Sequence, residues 1–377
     1  MGNDKISSEK QIPKIIAFNL PQFHAIPEND EWWGKGFTDW VNVKKAKPLF
    51  KNHDQPRVPL GGDYYNLDDD ASILKQMETA QRYGLYGFCY YHYWFNGKLL
   101  LEKPINRLLN IKDKPLHFCF CWANEPWTRA WDGGDKEILL GQNYGDVKDW
   151  EKHFDYFLPF FKDEKYIKID DKPMLVIYRT NNVPDCDKMI ALWDNLCVKN
   201  GFKGIYVVEE KNSFQDGKAC TESSAVLEFE PMHAVHQCRS FMRRVIDKVE
   251  KFFINRKNGL SVTIHNYDNV WNLIIKNAAA FNGEKEYKGA FVDWDNTARK
   301  GKQGTLFLGA SPEKFGDYFQ QLLTNCIKNN SEFVFFNAWN EWAEGTYLEP
   351  DEKNGFAYLE KIKSAIGNIE NDIKKSV

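Results

Sequence analysis

The chain has 377 residues, and its 50 basic and 53 acidic side chains leave a net charge of −3. A chain without basic excess lacks the field that draws nucleic acid or an anionic membrane, so we expect no nucleic-acid partner. Hydrophobic residues make up 43% of the sequence, which excludes a disordered chain. No apolar run approaches the roughly 20 residues that a membrane-spanning helix needs.

Eight short apolar or aromatic segments predict β-strands, and helical patterns separate most of them. Strands this apolar, alternating with helices, are typical of a parallel sheet that is buried on both faces. The predicted strands span 14–20, 87–93, 116–122, 174–178, 204–209, 225–229, 290–294 and 333–338. The predicted helices lie near 69–83, 147–162, 186–199, 266–280, 313–329 and 354–368.

Eight strands in this alternation predict an α/β fold of the closed (β/α)8 type, a TIM barrel. A doubly wound sheet is the alternative. The nucleotide-binding motifs typical of such sheets are absent, because no G-x-G-x-x-G follows the first strand and no G-x-x-x-x-G-K-[ST] occurs anywhere. The fifth crossover, between Glu209 and Ala225, is barely long enough for a helix. We predict one barrel domain over 13–370 with long loop insertions, a flexible segment over 1–12 and a tail over 371–377.

The eight cysteines form no C-x-x-C motif and are far too sparse for a disulfide scaffold. We therefore expect buried free thiols, which fit a reducing compartment. The first 14 residues lack the apolar core of a secretory signal, so a cytoplasmic location is favoured. Export, with a leader already removed, is the alternative.

The predicted strand ends are where a barrel of this type builds its active site. Nearly every C-terminal strand end here carries an aromatic residue beside a carboxylate, amide or imidazole, and the opposite ends do not. Aromatic rings offer flat apolar faces to a sugar ring, and the polar groups supply directional hydrogen bonds to its hydroxyls. The residues predicted to bind carbohydrate are His24, Tyr91, His92, Trp94, Trp122, Asn124, Glu125, Trp127, Tyr178, Asp293, Trp294, Asn296, Trp339, Asn340 and Trp342.

The eighth predicted strand delivers Glu341 and Glu344 into a turn flanked by two tryptophans, and Gly345 permits a tight backbone there. Apolar ring surface and a nearby like charge both disfavour an ionised carboxylate, so we expect one glutamate to hold its proton near neutral pH. Two carboxyl groups with separated pKa values are what glycosidic cleavage requires. We predict a catalytic pair; the alternative is a structural pair on a solvated turn.

The other sequence motifs give weaker functional predictions. His233 and His236 form H-x-x-H, but no third ligand follows at a diagnostic spacing, so we expect neither a metal nor another cofactor. The basic stretch 239–251 is interrupted by Asp247 and Glu250 and predicts a solvated helix face. The sequence contains no G-x-S-x-G nucleophile turn.

Five blocks make the sequence resemble the WbsX-like proteins of bacterial polysaccharide gene clusters, which are related to the glycoside hydrolase family 99 endo-α-mannosidases. The blocks are LPQFH at 20–24, NDEWWGKGFTDW at 29–40, GFCYYHYWF at 87–95, CWANEPWTRAWDG at 121–133 and WNEWAEGTYLEP at 339–350. The likeness to family 99 itself is narrower and rests chiefly on the N-E-W-x-E-G turn and on 294–297. The resemblance implies a (β/α)8 barrel that cleaves a glycosidic bond without a metal.

The resemblance also implies roles for the two glutamates. Glu341 would remove a proton from the 2-hydroxyl of the sugar, whose oxygen then attacks C1 to give a 1,2-anhydro sugar. Glu344 would protonate the leaving group and afterwards activate water, so that configuration is retained. Ala343 stands where those mannosidases typically have a histidine. We therefore expect a retaining, endo-α-mannosidase-like glycoside hydrolase that acts on an α-linked mannoside-like or other bacterial polysaccharide or oligosaccharide.

Two other functions stay open. WbsX-like proteins are often called glycosyltransferases of cell-surface polysaccharide (O-antigen or capsule) biosynthesis, and sugar-nucleotide enzymes often hold a metal through D-x-D. Among the D-x-D matches only Asp293 and Asp295 lie at a strand end, and no basic or glycine-rich phosphate cradle accompanies them. The third possibility is a polysaccharide-binding protein without turnover.

Overall fold

Eight parallel strands close into a barrel at the centre of the protein. The structure is a computed structural model that describes residues 11–129, 134–213, 218–238, 261–280 and 285–376. Each strand pairs with the next along the chain, and the eighth pairs with the first. The predicted (β/α)8 barrel is therefore confirmed. Its strands are β1 (Lys14–Asn19), β2 (Gly87–Phe95), β3 (His117–Trp122), β4 (Lys172–Ile177), β5 (Tyr206–Lys211), β6 (Ala225–Glu228), β7 (Glu286–Phe291) and β8 (Phe333–Asn337).

Helices surround the barrel, and the six predicted ones are all present; five of them match the prediction to within one residue at each end. Four short helices, α1, α2, α4 and α8, were not predicted because they lie inside loop insertions without a long apolar period. The described part of the fifth crossover contains no helix. The α-helices within the described ranges are α1 (Pro27–Trp33), α2 (Asp39–Lys45), α3 (Asp70–Arg82), α4 (Glu102–Leu108), α5 (Val147–Phe161), α6 (Cys186–Lys199), α7 (Tyr267–Ala280), α8 (Thr297–Lys300), α9 (Pro312–Lys328) and α10 (Ala357–Ser376).

Two predicted boundaries differ most from the structure. β7 begins four residues earlier than predicted, and the segment after Phe291 leaves the sheet to bond neighbouring loops: Trp294 accepts from the Phe307 amide at 2.9 Å. The last helix, α10, also continues beyond its predicted end near residue 368, as far as Ser376. α10 buries Leu359, Ile362 and Ile369 at helical spacing, so packing extends it beyond the predicted end. Residues 1–10 of the predicted flexible segment lie outside the described part of the chain.

Alternation along β2 decides which aromatic side chains enter the barrel. The ring of Tyr91 stacks inside the barrel on Phe18 of β1, with 5.4 Å between ring centroids. The next side chain, His92, stacks outside on Tyr156 of α5 at 5.1 Å. Because side chains alternate along a strand, Tyr93 shares the inner face with Tyr91.

One pair of cysteines is bonded, contrary to the expectation of free thiols throughout. Cys186 at the start of α6 and Cys220 after β5 form a disulfide with their Cα atoms 6.0 Å apart. The loop before β6 packs against α6 and brings the two together, since the Glu222 amide donates to Asp187 at 3.0 Å. The side chain of Cys238 lies outside the described residues. The remaining five, Cys89, Cys119, Cys121, Cys197 and Cys326, are buried free thiols as expected.

The disulfide gives a direct prediction. Protein purified without reductant and unfolded in guanidinium should show at most six of its eight cysteines to a thiol-specific dye, because Cys186 and Cys220 are bonded. Reduction before unfolding should reveal all eight. Detection of eight thiols without reduction contradicts the bond.

None of the helices in the described ranges is both long enough and apolar enough to cross a lipid bilayer.

Candidate active site

The chain after β8 forms a tight turn that carries the two predicted catalytic glutamates. A short antiparallel pairing, in which Glu341 lies opposite Thr346, brackets a single helical turn. Gly345 ends that turn with a φ of 63°, and a Cβ at this position would lie 2.7 Å from the Asp295 carbonyl oxygen. The amide of Asp295 donates to the Glu344 carbonyl at 2.8 Å. The turn is therefore packed directly against the loop after β7, as the glycine predicted.

One guanidinium contacts both glutamates. Arg299 of α8 places Nη1 2.5 Å from Oε1 of Glu344 and Nη2 3.2 Å from Oε2 of Glu341. The same Nη2 lies 3.4 Å from Oδ1 of Asp39, the first residue of α2. The Arg299 and Glu341 side chains are only 11% and 10% exposed, whereas that of Glu344 is 26% exposed. The predicted pair thus lies together at the C-terminal mouth of the barrel, around a shared cation.

The surroundings of Glu341 disfavour its ionised form. Burial raises the pKa of Glu341 to about 8, the charges of Glu344 and Asp39 act in the same direction, and Arg299 opposes them. Burial, followed by the charge of Glu341, also raises the pKa of the Tyr91 and Tyr93 hydroxyls. Tyr91 and Tyr93, on the inner face of β2, therefore lie near enough to Glu341 to feel its charge.

Two residues of the long first loop hold the turn in place. Arg57 donates from Nη1 to the Gly345 carbonyl at 3.0 Å and from Nη2 to Oδ2 of Asp293 at 2.7 Å. The amide of Ala343 donates to Oδ2 of Asp39 at 3.3 Å. Asp39 and Arg57 were not among the predicted site residues. Their hydrogen-bond partners lie more than 230 residues away in the sequence, and no local sequence pattern identifies either residue.

The D-x-D segment is bound by protein groups. Oδ2 of Asp295 accepts a bond from Gln55 at 2.9 Å and lies 2.8 Å from the His53 ring, and Oδ1 accepts from the Thr297 hydroxyl at 2.6 Å. Burial alone would raise the pKa of Asp295, but the bonds from His53 and Thr297 and the charge of Arg57 lower it to about 2. Asp295 is therefore a fixed anion with three protein partners.

The opposite side of the mouth carries two further carboxyl groups. Glu125 after β3 forms an ion pair with Arg179 after β4. Glu210 of β5 is fully buried, and Sγ of Cys121 lies 3.4 Å from its Oε1. Burial raises the pKa of Glu210 to about 8. Burial and then the charges of Glu125 and Glu210 raise the pKa of Tyr178, so Tyr178 lies near both groups.

Glu210 should make the stability of the protein depend on pH. Its pKa of about 8 in the folded state exceeds the value of about 4.3 in an unfolded chain, so the native state binds the extra proton. Its contribution to stability is therefore complete below about pH 4 and is lost as the pH rises towards 8. We expect Glu210→Gln, which stays neutral, to lose less unfolding free energy than the wild type between pH 5 and pH 8.

Urea unfolding at both pH values measures this difference, and Glu78→Gln on the exposed face of α3 is the control. An equal loss of stability in Glu210→Gln and the wild type would contradict the prediction.

Three predicted sugar contacts, His92, Trp94 and Trp122, point away from the glutamates. They surround His153 of α5: the Trp94 ring stacks on it at 4.5 Å, and Nε2 of His92 lies 2.8 Å from its Nε2. The Trp122 ring meets the same imidazole edge-on at 4.9 Å. Nε1 of Trp94 donates to Asp149 at 3.2 Å. These side chains connect the barrel to α5, and we leave them out of the proposed site.

The alternation of side chains is the signal that identifies the correct face of β2. Tyr93, which was not predicted, has its ring 5.3 Å from that of Trp127, which was. Trp127 in turn contacts Trp32 of α1 at 5.7 Å, and all three rings are partly exposed. A row of aromatic rings thus leads from the glutamates towards the surface.

The remaining predicted contacts mostly support the loops. Trp342 stacks on Tyr347 at 3.7 Å and donates from Nε1 to Glu349 at 2.6 Å. Trp339 and Trp342 line a cavity of about 230 Å³ that also holds the Glu349 carboxylate. Trp294 is buried as well. The side chains that bond or lie against nearby backbone groups are His24, Asn124, Asn296 and Asn340.

One group in the described ranges has the ligand types of a metal site. Glu228, Glu230 and His233 offer ligand atoms that all lie within 4.8 Å of one another. The Lys288 ammonium, however, donates to Glu228 at 2.8 Å, and Nδ1 of His233 lies 3.3 Å from Glu230. A metal would have to displace a buried cation from Glu228, so we assign none. The predicted partner of His233, His236, is not a member of this group.

The fold defines the structural class of the protein, a closed (β/α)8 barrel. An endo-α-mannosidase of glycoside hydrolase family 99 from Bacteroides thetaiotaomicron, solved with bis-tris-propane, is similar over 97% of this chain and 99% of its own, with a TM-score of 0.57 and 13% identity. A glycoside hydrolase-like protein gives 0.58 at 13% identity over 97% and 96%. At this identity the similarity shows the fold alone.

The chain belongs to the Glycosyltransferase WbsX family, which matches residues 15–362, and the predicted resemblance is confirmed. WxcX of Xanthomonas campestris pv. campestris (strain B100) is 34% identical over 357 residues, which cover 93% of this chain and 49% of WxcX. WxcX of strain ATCC 33913 is 34% identical over 362 residues with the same coverage. The chain spans about half the length of these curated relatives.

Proposed function

We propose that this chain is a retaining glycoside hydrolase that cleaves an α-linked polysaccharide or oligosaccharide, mannoside-like or another bacterial glycan. The observation that carries the proposal is the pair of glutamates around one guanidinium, beside Tyr91 and Tyr93 at the barrel mouth. Glycosidic cleavage needs one carboxyl group that donates a proton and one that accepts a proton or attacks. The geometry supports Glu341 and Glu344 in these two roles.

The reaction follows from the chemistry of the pair. One carboxylate takes the proton of the 2-hydroxyl while that oxygen attacks C1, and the other carboxyl group protonates the departing glycosidic oxygen. Water then attacks C1 of the 1,2-anhydro sugar and gives its proton to the second carboxylate, while the first carboxyl group returns its proton to O2 as the C1–O2 bond breaks. The two inversions at C1 give net retention. The resemblance to family 99 assigns the first role to Glu341 and the second to Glu344.

The sugar contacts we propose are the predicted residues that surround this mouth, together with Tyr93. Tyr91 and Tyr93 face the glutamates, and Trp127 extends the row of rings outward. Tyr178 and the Glu125–Arg179 pair form the opposite side and offer hydrogen bonds to hydroxyl groups. The Cys186–Cys220 disulfide supports the exported alternative for location, because disulfides persist in oxidising compartments.

The test is a screen of the purified chain against α-mannans, rhamnans and other bacterial glycans. We expect new reducing ends from at least one glycan, and proton NMR should show that the first anomer released has the configuration of the cleaved bond. Release of the opposite anomer would overturn the retaining mechanism. Calorimetric binding of a glycan without release of product would favour a binding protein.

The name of the family favours a second candidate, a sugar-nucleotide-dependent glycosyltransferase. Such an enzyme would be expected to bind nucleotide sugars with Mn²⁺ and to lose that binding in EDTA. The existing bonds of Asp293 and Asp295 to Arg57, Gln55 and His53 weigh against metal binding at the D-x-D segment. Calorimetry with UDP- and GDP-sugars, with Mn²⁺ and with EDTA, distinguishes the two candidates.

A further inference from the structure

We propose that Arg299, held by Asp39, is a positioning residue that keeps Glu341 and Glu344 aligned with a single proton between them. The inference rests on the proposed function for its catalytic meaning. The charges of the resting site can be measured without a substrate, by titration of Glu341.

The geometry makes Arg299 the common partner of the pair. The guanidinium is planar and offers its N–H groups in a fixed fork, so two acids bound to it are fixed relative to each other. Nη1 takes Glu344 and Nη2 takes Glu341. Asp39 also contacts Nη2, and its second oxygen accepts the amide of Ala343 inside the turn. Asp39 thereby ties the guanidinium to the backbone that carries both glutamates.

The charges explain why one proton belongs to this group. Three ionised carboxylates around one guanidinium would leave two uncompensated negative charges among largely buried side chains. Removing charge from water is costly, so uptake of a proton is favoured. The tyrosines that face the pair, Tyr91 and Tyr93, cannot compensate because they are neutral, and burial raises their pKa further. Tyr178, which feels the charge of Glu344, is neutral for the same reason.

The contacts also indicate which acid holds the proton at rest. Glu344 has the shorter bond to Arg299 and the more exposed side chain. Glu341 has the longer bond and the more buried side chain. The longer bond and the deeper burial both disfavour the Glu341 anion, so the resting proton is on Glu341. The roles proposed above therefore require this proton to pass to Glu344 when the glycan binds. Arg299 and Asp39 pull the affinity of Glu341 for the proton in opposite directions.

The experiment is a titration of Glu341 by NMR of side-chain ¹³C-labelled glutamate, with the resonance assigned from its loss in Glu341→Gln. An opposite charge at this distance shifts a carboxyl titration by about 1–3 pH units. We expect Arg299→Met to raise the Glu341 midpoint by about one pH unit or more. Arg299→Lys keeps a positive charge, so its midpoint should lie between those of the wild type and Arg299→Met. Asp39→Asn should move the midpoint the other way, because it removes a negative charge but leaves an oxygen for Ala343.

Arg57→Met is the matched control. The Arg57 side chain is 10% exposed, bonds the same turn through the Gly345 carbonyl, and pairs with Asp293 rather than with the glutamates. If Arg299 only stabilises the fold, Arg57→Met and Arg299→Met will shift the midpoint alike, and this overturns the proposal. Shifts of the same sign in Arg299→Met and Asp39→Asn also overturn it. If Arg299→Met does not fold, Arg299→Lys and Asp39→Asn still give the two opposite signs.

The titration and the activity separate two kinds of failure. If a glycan is cut, the basic limb of its pH–rate profile should move with the midpoint in each variant. If none is cut, the proposed function fails, while the titration still decides whether Arg299 and Asp39 set the charge of the pair.

Discussion

Replacement of Glu341 by glutamine, or of Glu344 by glutamine, is expected to lower kcat on a cleaved glycan by about 10²–10⁴-fold, the range of general acid–base catalysis. Glutamine keeps the volume and the hydrogen-bonding oxygen but cannot donate or accept the proton. The Kd for the glycan should change little, because the rings that would hold the sugar are untouched. Stopped assays of reducing ends and calorimetry on the same variants measure the two quantities.

Glu352→Gln provides the control for these substitutions. Glu352 lies eight residues beyond Glu344 on the same loop, is exposed, and accepts a bond from the Gly61 amide rather than from Arg299. Its variant should keep the wild-type rate. Near-normal turnover in both Glu341→Gln and Glu344→Gln would remove these residues from the chemistry and leave the barrel without an assigned acid or base.

Gly345→Ala is expected to lose about 10²-fold in turnover, the size of effect that a displacement of about 1 Å at a catalytic group produces. A methyl group here would meet both the nitrogen and the carbonyl oxygen of Asp295, at 2.8 and 2.7 Å, so the turn must move. The left-handed φ of 63° adds strain for any residue with a Cβ. We expect the unfolding free energy to fall by about 1–3 kcal/mol.

Gly355→Ala separates the effect of the contact with Asp295 from the effect of the left-handed φ. Gly355 has a similar φ of 55°, but no atom lies within 4 Å of the position of its Cβ. Its variant should show the modest conformational cost without the loss of turnover. Thermal unfolding and activity assays of both variants decide the matter: equal activities would mean that the contact with Asp295 does not position the glutamates.

The barrel was predictable because its signals are local. Each strand is a short apolar run, and each long helix has its own period, so eight repeats of the alternation indicate closure. The turn at Glu341 and Glu344 was predictable for a related reason, since a strand end fixes where the residues after it must lie. The tight approach at Gly345 was predicted from its residue type alone.

The residues that complete the site were not predictable in this way. Asp39 and Arg57 come from a loop without regular period, and their partners lie near the other end of the chain. The prediction of His92 and Trp94 as sugar contacts differs from their position in the structure for another reason. The strand end was treated as one aromatic cluster, although alternation sends Tyr91 and Tyr93 inward and their neighbours towards α5.

The pairing of the first strand with the last has a consequence for biosynthesis. The partner of β1, β8, and the turn that Arg57 and Asp39 hold are made more than 300 residues after β1. Nascent chains that end before residue 333 therefore expose one edge of β1 and an unpaired first loop. Unpaired strand edges are prone to aggregate, so this protein should depend on chaperones until β8 and the turn after it have been translated.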